Sequence, residues 1–247
     1  MLAEKIVEQS NSAYNSPILL VPKKSADWSE KWRLVVDYRQ LNKKLVPDKF
    51  PLPRIDEVLD QLGRARFFST LDLMSGFHQI PLEQSSRKYT AFSTSQGHYQ
   101  YTRLPFGLNI APNSFQRMMM VGLSGLPPHT CFLYLDDIIV IGCSENHHIQ
   151  NLRQVFAKLR EKNLKLNPEK CHFFRHEITF LGHTVTDKGI YPDKSKFKII
   201  QDYPTPKSAE EAKRFTSFAS YYRRFIPNFS VIAQPLTRLT RKNSEFV

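Results

Sequence analysis

The period of the apolar positions changes several times along this chain, and each change marks a predicted element. Ile18-Leu19-Leu20-Val21 is a short apolar run, and Trp32-Arg33-Leu34-Val35-Val36-Asp37-Tyr38 follows a charged connection, so residues 16–41 read as two strands. Residues 47–53 form an extended, proline-rich crossing. Ile55, Val58, Leu59 and Leu62 then recur at helical spacing, with Gly63 as the stop. Residues 67–73 are the next strand, with Asp72 at its end, and residues 89–104 read as a hairpin around Gln96-Gly97. Pro112 sits where the first turn of a helix tolerates proline, and Phe115, Met118 and Met119 continue that helix. Residues 132–141 read as two strands with Asp136-Asp137 at the turn. Leu152, Val155, Phe156 and Leu159 mark an amphipathic helix. After Gly189 helical segments follow one another, and Ser208 with Glu211 makes a capping box. The order is strand-rich, then mixed, then helical. That is an α+β chain with a helical C-terminal lobe, divided near Thr186 into residues 1–185 and 186–247.

Composition narrows the class. Of 247 residues, 41% are hydrophobic and 23% charged, which supports a core and excludes a disordered chain. A net charge of +12 points to a polyanionic partner, most often nucleic acid; an anionic membrane surface or solubility alone also fits. Cys131, Cys143 and Cys171 are too few and odd in number for a disulfide framework, which suits a reducing compartment. The best apolar stretch, residues 131–143, is split by two aspartates and is too short to span a bilayer. Residues 1–10 carry charges throughout and contain no signal-peptide core. No membrane partner is expected.

The sharpest chemical signal is Tyr134-Leu135-Asp136-Asp137 inside an aliphatic run. Adjacent side chains on a regular strand point to opposite faces, so both carboxylates can face one site only at a tight turn. Two carboxylates among aliphatic residues repel each other and are poorly solvated, and a divalent cation relieves both costs. Magnesium suits the arrangement, because it takes one or two carboxylates, water and substrate phosphate oxygens. Asp72 ends another apolar strand. Beside Asp136 it would complete a two-metal site, in which one ion activates a hydroxyl and the other stabilises a leaving pyrophosphate. On these residues alone, an ordinary hairpin turn and a strand-end aspartate account for the pattern equally well.

Seven ordered blocks decide between the two. They are Ser-Pro-Ile-Leu-Leu-Val-Pro-Lys-Lys from Ser16, Trp-Arg-Leu-Val-Val-Asp-Tyr-Arg-Gln-Leu-Asn from Trp32, and Phe-Ser-Thr-Leu-Asp-Leu-Met-Ser-Gly-Phe-His-Gln-Ile from Phe68. Leu-Pro-Phe-Gly-Leu, Tyr-Leu-Asp-Asp-Ile, Phe-Leu-Gly-His and Tyr-Tyr-Arg-Arg-Phe-Ile-Pro-Asn-Phe follow. From Ser16 to Asn243 the chain resembles the reverse transcriptases of gypsy-type LTR retrotransposons, and more distantly those of retroviruses. The resemblance implies a right-hand polymerase with fingers and palm in residues 1–185 and a helical, basic thumb in residues 186–247. It implies an RNA- and DNA-directed DNA polymerase that uses two Mg2+ ions, with Mn2+ as a substitute. Its partners would be a primed RNA or DNA template and deoxynucleoside triphosphates.

Site residues follow by the same resemblance. Asp72, Asp136 and Asp137 match the catalytic aspartates, and the backbone carbonyl of Leu73 would join them at the metals. Arg33, with Lys23 or Lys24, matches the residues that hold the triphosphate. A guanidinium reads phosphate bidentately, whereas lysine acts as a point charge. Phe77 falls at the aromatic gate that rejects the ribose 2′-hydroxyl, and Phe106 and Gly107 at the loop lining the nucleotide pocket. Retroviral relatives carry glutamine where Phe106 stands, so its contact here is packing or stacking. Phe180, Leu181, Gly182 and His183 match the primer grip, and Lys170 is a candidate proton donor to pyrophosphate. Asn109-Ile110 and the Phe-Thr-Ser-Phe stretch at Phe215 depart from the gypsy pattern. The histidines and cysteines at positions 147, 148, 171, 172, 176 and 183 fit no structural zinc spacing.

The protease, RNase H and integrase of a Pol polyprotein are expected to be absent from this stretch. The location implied is cytoplasmic, within virus-like particles. The competing expectations are a catalytically silent nucleic-acid-binding module and a nucleotidyl cyclase on a similar palm.

Overall fold

The computed structural model describes residues 1–23, 31–63 and 65–241, with the backbone alone for Lys23, Lys31 and Arg33. Three strands open the chain, β1 (Val7–Gln9), β2 (Ile18–Lys23) and β3 (Lys31–Val36), followed by helices α1 (Arg39–Asn42) and α2 (Ile55–Leu62). Next come β4 (Phe67–Asp72), α3 (Gln84–Arg87), and the hairpin of β5 (Phe92–Thr94) and β6 (Gly97–Tyr101). Helix α4 (Ala111–Gly122) leads into β7 (Cys131–Tyr134) and β8 (Asp137–Gly142), and α5 (Glu145–Glu161) follows. Strands β9 (His172–Arg175), β10 (Glu177–Phe180), β11 (His183–Thr186) and β12 (Gly189–Pro192) precede α6 (Lys194–Gln201), α7 (Ala209–Ser220) and α8 (Phe229–Leu239). The mixed α+β class expected from the pattern is the one observed.

These elements form two compact units, Met1–Arg54 with Phe68–Phe174, and Ile55–Phe67 with Arg175–Val247. In the first unit, a four-stranded sheet runs in the order β7-β8-β4-β9. Ile138 to Ile141 are all buried, so β8 is apolar on both faces, as a central strand must be. Helices α4 and α5 cover this sheet. Phe115 and Met119 from α4, Leu152, Val155 and Leu159 from α5, and Leu71, Ile138 and Val140 from the strands make one core. Burying each such side chain stabilises the fold by about 1.5–3 kcal/mol. A second core gathers Val7, Val36, Tyr38, Phe92, Tyr101 and Leu104 beneath the sheet β1-β6-β5.

The second unit holds α2, the sheet β10-β11-β12 and helices α6 to α8. Val58, Leu59 and Leu62 form the buried stripe of α2, as their spacing predicts. Arg224 reaches back to Asp60 of α2 at 2.7 Å. Ser208 caps α7 by accepting from the Glu211 amide at 3.2 Å. The Glu211 carboxylate accepts from the Lys207 amide at 2.7 Å, one residue before the position a capping box normally uses.

Three local readings are corrected. The β7–β8 turn is Leu135-Asp136, since Tyr134 pairs with Asp137; a two-residue loop fits the strand twist, and Asp137 opens β8. Likewise the β5–β6 turn is Ser95-Gln96, because Thr94 pairs with Gly97. The stretch after Gly189 begins with a strand, β12, whose Gly189 pairs with Thr186.

Candidate active site

Asp72 owes its position to the strand that ends on it and to a short ladder beyond. Leu73 bridges Leu166 in antiparallel fashion. The Asn167 amide donates to the Asp72 carbonyl and the Met74 amide to the Lys165 carbonyl, both at 2.9 Å. Residues 165–167 lead into a 3-10 turn, Pro168–Lys170, capped by the Asn167 side chain. That turn brings the Lys170 ammonium to 3.4 Å from the Asp72 carboxylate. The sequence offers Lys170 only as a candidate proton donor. The structure places its charge on Asp72.

Asp136 is delivered by backbone geometry. Leu135 adopts a left-handed φ of 52°, which a two-residue hairpin loop needs and a branched residue resists. Gln116 of α4, fully buried, supports it. Its carbonyl oxygen accepts from the Leu135 amide at 2.8 Å, and its amide group donates to the Leu133 carbonyl at 3.4 Å. Gly76 lets this turn approach, for a Cβ there would stand 2.9 Å from the Phe115 ring and 3.0 Å from Asp136 Oδ1. Gln116 does not stand out in the sequence, and Gly76 appears there only as a member of the block from Phe68. The legible trace of Gln116 is an amide beside Phe115 on an amphipathic helix.

The electrostatics bind these pieces together. Asp136 Oδ1 is buried with no hydrogen-bond partner among the described residues. Burial raises the Asp136 carboxyl above its ordinary 3.8, the charges of Asp137 and Asp72 raise it further, and Lys170 opposes them. Asp137, exposed as a residue, is raised by desolvation first and by Asp72 second, again with Lys170 opposing. The three aspartates and Lys170 therefore share one electrostatic neighbourhood. Among the described residues, no three acidic, histidine or cysteine side chains converge on a single ion position. The donor set still fits a hard cation: three carboxylates, one with an orphaned buried oxygen, two of them raised by burial and mutual repulsion. Asp72, the Leu73 carbonyl, Asp136 and Asp137 are the groups that would hold it.

Phe77 and Phe106 meet at 5.0 Å between ring centroids, and Phe77 stands edge-on to the core residue Phe115 at 5.4 Å. His78 closes the group from the other side, edge-on to Phe106 at 5.0 Å. Its Nε2 is buried without a hydrogen-bond partner among the described residues, and burial lowers its pKa below 6.5. Gly107 has a φ of 94° and faces the Tyr38 ring, while its carbonyl accepts from Asn42 at 2.9 Å. The residues expected to line a nucleotide pocket are thus brought together. Lys24, and the side chains of Lys23 and Arg33, lie outside the described residues.

In the second unit, Phe180 pairs with His183 across a turn in which Leu181 and Gly182 have φ of 47° and 74°. Two tyrosines next to the end of α7 hold this turn. The Tyr221 hydroxyl donates to the Leu181 carbonyl at 2.6 Å and the Tyr222 hydroxyl to the Gly182 carbonyl at 3.2 Å. A Cβ at Gly182 would stand 2.9 Å from the Tyr222 oxygen, so the glycine serves both φ and space. His183 is buried against Tyr221, Tyr222 and Phe225, and burial lowers its pKa. The expected primer-grip residues form one turn.

Known proteins resemble this chain over most of its length. The family model described as reverse transcriptase (RNA-dependent DNA polymerase) matches residues 21–185. The retrovirus-related Pol polyprotein from transposon 412 of Drosophila melanogaster is 64% identical over 100% of this chain, and 20% of that protein is covered. The corresponding polyprotein from transposon gypsy of the same organism is 40% identical over 98% of this chain and 24% of its own length. This chain therefore spans about a fifth to a quarter of those relatives. Among solved structures, a foamy viral protease-reverse transcriptase in complex with double-stranded DNA aligns with a TM-score of 0.86 at 30% identity, covering 96% of this chain and 41% of that one. A foamy viral protease-reverse transcriptase in complex with an RNA/DNA hybrid aligns with a TM-score of 0.80 at 29% identity, over 98% of this chain and 32% of that one. The chain therefore belongs to the reverse transcriptase family, in the polymerase fold, alongside the Pol polyproteins of gypsy-type transposons.

Proposed function

We propose that this chain is the polymerase part of a retrotransposon Pol polyprotein, extending a primer with deoxynucleotides on an RNA or DNA template. The carrying observation is the buried, unpartnered Asp136 oxygen beside Asp137, Asp72 and Lys170. A carboxylate kept that way is unfavourable unless a cation joins it. Two magnesium ions, when bound, would activate the primer hydroxyl and stabilise the leaving pyrophosphate.

The chain's own residues do the rest. Asp72 and Asp136 would hold the ions, with Asp137 in support and the Leu73 carbonyl as a neutral ligand. Phe77, braced by Phe106 and Phe115, sits against the sugar of the incoming nucleotide and excludes the 2′-hydroxyl by volume. Arg33 with Lys23 or Lys24 engages the triphosphate. Lys170, whose ammonium lies 3.4 Å from the Asp72 carboxylate, would give a proton to the departing pyrophosphate. The 180–183 turn holds the primer terminus. Residues 1–185 serve as fingers and palm, and the basic helices α6 to α8 act as the thumb, gripping duplex backbone in a salt-dependent way. Support for nucleic acid as partner comes from the net charge of +12 and from the viral neighbours, solved in complex with double-stranded DNA and with an RNA/DNA hybrid.

The test is primer extension on an RNA template with magnesium and four deoxynucleotides, comparing the chain with Asp136→Asn. Extension that disappears in the variant while hybrid binding persists is the expected result. Tight, salt-sensitive binding without extension in either protein would overturn the polymerase and leave a silent binding module.

A further inference from the structure

Gln79 has no role in the chemistry above, yet both its amide donors and its carbonyl oxygen are engaged beside the site. It ends the 3-10 turn Gly76–Gln79, directly after the gate residue Phe77 and its neighbour His78. Its amide nitrogen donates to the carbonyls of Met74 and Lys165, and its amide oxygen accepts from the Lys165 N–H, each at 2.8 Å. Both amide hydrogens and the carbonyl are therefore engaged with main chain. Arg103 in turn donates to the Gln79 carbonyl at 3.3 Å, and the Ile80 carbonyl accepts from the Leu104 amide, so the turn is itself anchored.

Both segments it joins carry groups of the proposed chemistry. Met74 lies two residues after Asp72 and one after Leu73. Lys165 begins the segment that runs through Asn167 to Lys170. Between them only Leu73–Leu166 pair, flanked by the Met74–Lys165 bond on one side and the Asn167–Asp72 bond on the other. A ladder this short has few bonds of its own to resist sliding or fraying. Gln79 completes its open end, standing where the next strand residue would otherwise pair.

We infer that Gln79 is a positioning residue: it clamps the Asp72–Met74 segment to residues 165–167, fixing the Asp72 carboxylate and Leu73 carbonyl as one metal-binding edge and Lys170 beside it. It touches no substrate and acts only through the main chain it holds. Glutamine suits the task because the role needs two donors and one acceptor on a planar group. Glutamate would set a charged oxygen against two carbonyls, and methionine would fill the space while offering none of the three bonds. Groups that orient metal ligands from behind typically account for ~10–100-fold in metal affinity or activity.

The inference rests on the polymerase reading, and the experiment separates their failures. Binding of Mn2+ alone is followed by electron paramagnetic resonance for the wild type, Gln79→Met, Gln79→Glu and Asp72→Asn. Thermal melting and steady-state extension are measured on the same samples. The expected result is Asp72-dependent Mn2+ binding in the wild type, weakened roughly tenfold in Gln79→Met. Its kcat should fall at least as far, with KM for the nucleotide within about twofold and melting near that of the wild type. Should Gln79→Met not fold, Gln79→Glu carries the same expectation. Wild-type affinity and kcat in the folded variants would overturn the clamp alone. Mn2+ binding in the wild type that does not depend on Asp72 would overturn the clamp and the metal-site reading together.

Discussion

Gln116 on α4 accepts a 2.8 Å hydrogen bond from the amide of Leu135, the residue whose left-handed backbone turns the chain toward Asp136. This part-buried bond gives a partner to the amide of a residue held at positive φ. One buried side chain thus supports the conformation that puts the Asp136 carboxylate in place. Gln116→Leu keeps volume and removes both bonds. We expect it to lower stability by about 1–3 kcal/mol and to lower kcat for extension more than it changes KM for the nucleotide. Chemical denaturation and steady-state kinetics on the same preparation check both.

The raised carboxyls make a stability prediction with a definite sign. Asp136 and Asp137 have folded-state pKa values above the ordinary 3.8. Below 3.8 both are protonated whether folded or not, and their burial carries no charge penalty. As pH rises through the raised values, the folded chain gains charges that it holds less well than the unfolded chain, and stability falls. Asp136→Asn should therefore melt higher than the wild type at pH 7 in EDTA, at roughly 2–4 °C per kcal/mol relieved. The gap should close as the pH approaches 3.8, and Mg2+ at pH 7 should narrow it by stabilising the wild type alone. A variant that melts at or below the wild type at neutral pH would contradict the electrostatic account.

The aromatic group of Phe77, Phe106 and His78, at the proposed nucleotide pocket, predicts sugar selectivity. Phe77→Val opens space where the 2′-hydroxyl would lie, and the hydroxyl-sized clash it removes is of the order of 1–3 kcal/mol. Ribonucleotide incorporation, measured as kcat/KM for CTP relative to that for dCTP, should rise by about one to two orders of magnitude over the wild type. His78→Ala, which takes the edge-on ring away from Phe106, should shift the same ratio in the same direction but less.

At the 180–183 turn, Gly182→Ala places a methyl group 2.9 Å from the Tyr222 hydroxyl oxygen and in a backbone region unfavourable to L-residues. The expected cost is about 1–3 kcal/mol in stability, with weaker primer-terminus binding. Combining it with Tyr222→Phe, which deletes the oxygen, should recover part of the steric component and none of the φ component. Full additivity of the two single variants in a double-mutant cycle would show that they do not meet.

How far the fold and site could be read in advance follows from the range of each interaction. Periodicity locates α2 and α5, because Val58-Leu59-Leu62 and Leu152-Val155-Leu159 each lie on one helical face against a core. Asp72, Asp136 and Asp137 are legible because carboxylates among aliphatic residues are chemically conspicuous. Gln116 and Gln79 are not. Each acts on main-chain atoms of residues distant in sequence, Leu135 and Lys165, and a glutamine's partners leave no mark in the local pattern. Strand β1 escapes for a related reason: Val7 pairs with Tyr101, and three residues give too short a run to show an alternation. The turn positions shift by one because a hairpin's register is set by which pair closes it, Tyr134 with Asp137 or Thr94 with Gly97.

The two tyrosine hydroxyls that meet the Leu181 and Gly182 carbonyls have a mechanical consequence. The turn's carbonyls are tethered to consecutive residues at the end of α7, so a small rotation of that helix is transmitted to the hairpin tip with little chance of being absorbed along the way. Helix and turn behave as a crank and its pin, and a ligand that displaces one has already moved the other.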